Sequence, residues 1–151
     1  MTDRDTLKSI LTVDAPAPGG HYSQAIVASG HVYIAGQLPI RPDGTALVDS
    51  DFETQARQAI ENMLAILAAA GGTPQHLAKV TAYVVGVANW PRFNAVYAAM
   101  LPDVHPARTV VPVPELHYGL QVEIDAIAVL AGEDDHRADA GQGAAEADGQ
   151  G

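Results

Sequence analysis

The chain contains no cysteine. That excludes a disulfide framework, thiolate metal sites and a cysteine nucleophile. Bases are scarce: eight Lys and Arg stand against 18 Asp and Glu, a formal charge of -10. Such a surface repels a phosphate backbone and argues against a nucleic-acid partner. No apolar run approaches the ~18 residues of a membrane span. The opening residues MTDRDTLKSIL lack the apolar centre of a secretory signal, so a cytoplasmic protein is expected, with no membrane association. The six His residues (21, 31, 76, 105, 117 and 136) show no ligand spacing, which argues against zinc. Gly19-Gly20 and Gly71-Gly72 do not continue into a phosphate-cradling loop, and no serine sits in a GxSxG elbow.

What is present is a core. Apolar residues make up 48% of 151 residues, enough for one domain. The last twenty residues, 132–151, hold six acids and one base and no large apolar side chain. They cannot bury enough surface to offset ordering entropy and read as a disordered acidic tail. Residues 1–20, with Pro16, Pro18 and a glycine pair, read as a flexible lead-in. The expected domain is 21–131.

Two helices are predicted. Over 52–70, Phe52, Ala56, Ala59, Ile60, Met63, Leu64 and Leu67 make one apolar stripe. Ser50 and Glu53 match a capping box, and Gly71-Gly72 supplies a stop. Over 91–101, Phe93, Val96, Tyr97, Met100 and Leu101 repeat at three and four, with Asn89 as the expected cap. Strands are predicted at 25–29 and 31–35, flanking Gly30, and at 79–85, 109–113 and 120–130. On the last, Val122, Ile124, Ala126 and Ala128 face one way. Glu123, Asp125, Ile127 and Val129 face the other. The order implies an α+β (or α/β) fold, one sheet with two helices on one face. Both faces of the last strand carry apolar residues, so something else, such as another subunit, should cover the second face.

Two charged residues stand out. Glu123 lies on a face expected to be covered, where a carboxylate is costly unless paired. Arg108 opens an apolar run and could hold a carboxylate by two parallel hydrogen bonds. The two could form a structural salt bridge. They could instead be an anion-binding arginine beside a carboxylate that handles water. Asp125 shares the Glu123 face. Trp90 and Tyr97 read as helix-start and core residues.

Taken together, GGHYSQAI, VYIAGQLPIRPDG, QARQAIENMLAILAAAGG, FNAVYAAML, HPARTVV and VEIDAIAV resemble the RidA/YjgF family of enamine/imine deaminases, over about 20–130. The resemblance implies a chorismate-mutase-like mixed sheet. It also implies a homotrimer whose sheets form a central barrel with clefts between neighbours. It implies catalytic roles for Arg108, as a carboxylate clamp, and Glu123, which positions or activates water. Substrate-binding positions would be Tyr22, Ala35, Gly36, Asn94 and Arg108, with Gln37 at the same turn. The implied activity is that of a 2-iminobutanoate/2-iminopropanoate deaminase-like hydrolase. It converts small imine or enamine acids to 2-oxo acids and ammonia, with no metal or organic cofactor. A different class, a non-catalytic module binding a 2-oxo acid, would use the same cleft. The chain departs from the archetype at Ala35, where a serine is usual, at Val110, and across 112–119, which contains His117 and Tyr118.

Overall fold

The structure, a computed structural model, describes residues 6–130. The expected acidic tail at 132–151 lies outside the described residues. Six strands form one sheet: β1 (Lys8–Ile10), β2 (Ala25–Ala28), β3 (His31–Gln37), β4 (Leu77–Val85), β5 (Ala107–Val113) and β6 (Val122–Val129). Their order across the sheet is β1-β2-β3-β6-β4-β5. Only β4 and β5 pair in parallel, and the helix α2 (Trp90–Met100) makes their crossover. The longer helix, α1 (Phe52–Ala69), crosses from β3 to β4. The predicted α+β sheet with two helices on one face is therefore present.

Period-two alternation sets the layers. Val122, Ile124, Ala126 and Ala128 are buried, as are Val32, Ile34, Val80, Ala82 and Val84 beside them. They pack with Phe52, Ile60, Met63, Leu67 and Phe93 of the helices. Burying each of these large side chains fully contributes about 1.5 to 3 kcal/mol. The opposite face carries Tyr33, Tyr83, Glu123, Asp125 and Ile127, with Tyr33 47% and Val129 39% exposed. No element of the protomer's described residues covers that face as α1 and α2 cover the other.

The helix starts differ from the sequence reading. Asp51, not Ser50, caps α1, its Oδ1 accepting from Thr54 N–H at 2.8 Å. Glu53 is released from the capping box. It takes Arg92 of α2 through two contacts of 2.6 and 2.8 Å, tying the helices together. Asn89 makes no capping bond either. Its amide donates to Val85 O at 2.8 Å and its oxygen accepts from Arg92. The stop behaves as expected, with Gly71 at φ 89°.

Residues 6–20 also differ from the loose lead-in expected. Strand β1 extends the sheet by pairing with β2. The buried Gln24 side chain then fastens the following segment: Oε1 accepts from Thr12 N–H at 2.7 Å, and Nε2 donates to Thr12 O at 3.1 Å and Pro16 O at 2.9 Å. One amide thus satisfies backbone groups that would otherwise be stranded. Gln24→Ala should lower unfolding free energy by about 1 to 3 kcal/mol. Hydrogen exchange should speed up first at the Thr12 amide. Unchanged exchange there would show that the segment is held by something else.

Candidate functional site

The sequence-predicted site residues separate into two cavities. Tyr22, Ala35, Gly36, Gln37 and Glu123 line one of about 720 Å³, together with His117 and Tyr118. Asn94 and Arg108 line a second, of about 390 Å³, with Tyr97 and His105.

The sheet explains the separation. Glu123 is directly opposite Tyr83 on the uncovered face. Arg108 is in register with Val80, which is buried under the helices. Paired residues share a face, so Arg108 and Glu123 leave opposite faces of the sheet. They also sit two strands and three register positions apart. A salt bridge between them within one protomer is ruled out.

Glu123 is placed by a bulge. The β3–β6 register shifts between Ile34 and Gln37, so β3 carries an extra residue at Ala35-Gly36. The glutamate carboxylate lies directly against Gly36. A β-carbon there would collide with Oε1 and come within 3.1 Å of Cδ. The glycine is thus required for close approach, not for its backbone angles. Among the described residues no group donates a hydrogen bond to this carboxylate. Burial raises its pKa above the ordinary glutamate value; nearby Asp125 adds to the rise and His117 opposes it. Asp125 is occupied otherwise, accepting from Tyr83 Oη at 3.1 Å. Tyr22 is set at the rim by Gly19 N–H, which donates to its Oη at 3.1 Å. Ala35 lies on the same wall and brings no hydroxyl to it.

Arg108 is placed by α2. Its guanidinium carbon lies 4.8 Å from the Tyr97 ring centre and 5.9 Å from those of Trp90 and Phe93. Cation–π contacts hold a guanidinium while leaving its N–H groups free to bind an anion. Tyr97 is 7% exposed, and its hydroxyl has no hydrogen-bond partner. Burial raises its pKa and Arg108 works against that rise. Sequence reasoning read Trp90 as a helix-start residue and Tyr97 as a core residue, and missed their contact with Arg108. The signal was there: Trp90, Phe93 and Tyr97 are spaced three and four apart, on one side of the helix. His117 and Tyr118 were visible only as a departure from the family pattern.

Comparisons with known proteins agree with this architecture. The family profile described as Endoribonuclease L-PSP matches residues 12–130. A RutC family protein of Pyrococcus horikoshii is 43% identical over 119 residues, covering 79% of this chain and 94% of its own. The crystal structure of RidA from the Antarctic bacterium Psychrobacter superposes with a TM-score of 0.77 at 36% identity, covering 82% of this chain and 99% of its own. TdcF of E. coli, solved with bound serine, gives a TM-score of 0.77 at 32% identity, with the same coverage. A bulged sheet with two helices on one face, a glutamate on the other and an arginine under the helices defines a class of small-molecule-binding α+β domains. The chain belongs to its RidA/YjgF family, also called L-PSP.

The contact between Gly36 and Glu123 makes a specific demand. In Gly36→Ala the new methyl should displace the carboxylate, the freer of the two groups, and leave the sheet intact. Unfolding free energy should fall by about 1 to 3 kcal/mol, and a crystal structure should show the carboxylate swung away from β3. An unmoved carboxylate would contradict the placement.

Proposed function

We propose that this chain hydrolyses reactive 2-imino and enamine acids to 2-oxo acids and ammonia. The active site would be shared between two copies in a homotrimer. The carrying observation is Glu123: a partly buried carboxylate with no donor, its pKa raised, on the wall of a cavity. That is the state of a group able to take and return a proton. Family membership supports the reading, and so does the amino acid held by TdcF in the same fold.

The reaction is R–C(=NH2+)–COO- plus water giving R–CO–COO- plus ammonium. Arg108 of one copy grips the carboxylate in a two-pronged contact and presents the imine carbon to the Glu123 cavity of the next. Glu123 accepts a proton as water attacks that carbon. The proton then passes to the nitrogen; as the C–N bond breaks the hydroxyl oxygen becomes the ketone and gives up its own proton to Glu123, which hands it to the departing ammonia, so that ammonium leaves. Tyr22 and backbone groups beside Gly36 steady the tetrahedral intermediate. Three copies joined through their uncovered sheet faces would bury Tyr33, Ile127 and Val129, and the edge strand β5 of each copy would carry Arg108 to the rim of its neighbour's Glu123 cavity. The reaction needs no metal or organic cofactor. Free imines also hydrolyse in water, so the acceleration required is modest.

A binding module for a 2-oxo or amino acid is the second reading, because TdcF was solved with bound serine. Release of ammonia from an imine generated in place separates the two. On the first reading Arg108→Ala should lose two or more orders of magnitude in rate, from about 3 to 5 kcal/mol of lost charge contact. Arg108→Lys should also fail, because an ammonium cannot make the two-pronged contact. The wild-type rate should fall as the pH drops through the Glu123 pKa, which burial raises above the ordinary glutamate value of about 4.3. Full activity in Arg108→Ala, or no ammonia from the wild type, would contradict the proposal.

A further inference from the structure

Two non-glycine residues among those described have left-handed backbones, Ser29 and Tyr118. At Ser29 the β2–β3 hairpin requires it, since Ser29 and Gly30 form its two-residue turn at φ 48° and 78°. Tyr118 has no such excuse. It sits at φ 63° and ψ 14° between β5 and β6, and a bulky residue there is an outlier.

The neighbours enforce the conformation. Leu116 O accepts from Gly119 N–H at 3.3 Å and His117 O from Leu120 N–H at 3.1 Å. The buried Leu120 anchors the exit, and the fully buried Gln55 accepts from Gln121 N–H at 2.9 Å. What the strain achieves is not core packing, because Tyr118 is 68% exposed. It puts Tyr118 on the wall of the Glu123 cavity. Tyr22, 52% exposed and lying on Gly20, is on the same wall. Leu38, Ile40 and Pro16 continue the apolar lining. In the single protomer the cavity measures about 720 Å³, room for more than a three-carbon acid. Strain held at a cavity wall with no packing gain points to a functional use.

We propose that Tyr118, together with Tyr22, forms an aromatic subsite that selects imino acids with an aromatic or large apolar side chain. This rests on the imine-hydrolysis reading and names its substrate class. The carboxylate and imine ends stay with Arg108 and Glu123, and the side chain lies along the two rings.

The test generates imines from phenylalanine and from alanine with an amino-acid oxidase. Their loss is measured with wild type, Tyr118→Phe and Tyr118→Gly. In parallel, calorimetry compares the affinities of phenylpyruvate and pyruvate for the same proteins. The wild type should favour the phenylalanine-derived imine, and Tyr118→Phe should keep that preference. Tyr118→Gly should cut the preference by about 2- to 10-fold, the value of an aromatic contact. It should also raise the melting temperature, because glycine accepts the left-handed backbone without strain. A preference unchanged in Tyr118→Gly, or a melting temperature that falls with it, would overturn the subsite. If no imine is consumed, the hydrolysis reading fails, and the phenylpyruvate-to-pyruvate affinity ratio still decides the subsite: a fall in Tyr118→Gly supports it and an unchanged ratio overturns it.

Discussion

A β-strand sends alternate side chains to opposite faces, and that alternation keeps Arg108 away from Glu123. Arg108 shares a face with Val80 and lies under α2; Glu123 shares a face with Tyr83 and points away from both helices. A one-residue slip of either strand would move its charge to the other face. The same alternation gives the helices a continuous apolar layer and leaves the other face with Tyr33, Ile127, Asp125 and Glu123. The register that builds the core therefore also puts the two candidate residues on opposite faces.

Each half is prepared locally. The β3 bulge and the bare Cα of Gly36 let the Glu123 carboxylate come against the backbone, where it is partly desolvated. Three aromatic rings of α2 hold Arg108 from behind without consuming its hydrogen-bond donors. Both devices keep a charge available at some cost in solvation. A protomer with two half-sites on opposite faces invites completion by a second copy, and the uncovered sheet face is a natural surface for one.

Much of this was legible in the sequence because periodicity carries over long segments. The stripe of α1 and the alternation of β6 placed both elements to within two residues, and β6 alone assigned Glu123 to the face away from the helices. Short and tertiary features were not legible. β1 has three residues, too few to show a period. The Gln24 bonds join residues 8 to 12 apart through a side chain whose type predicts nothing. Asp51 and Ser50 are both good caps, and the bidentate Arg92–Glu53 pair explains why Glu53 does not serve a capping box. The left-handed Tyr118 runs against the preference of its own residue type, so no local rule could find it.

The central claim is that one chain supplies the arginine and another the glutamate of each site. Co-assembly of two inactive variants tests it most directly. Arg108→Ala and Glu123→Gln are prepared separately, then co-refolded in equal amounts, and ammonia release from an imine is measured. If neighbours share each site, an interface with both native residues forms in roughly a quarter of cases, so roughly a quarter of wild-type activity should return. If each chain carries its own complete site, the mixture stays as inactive as its parts, and that result would contradict the account.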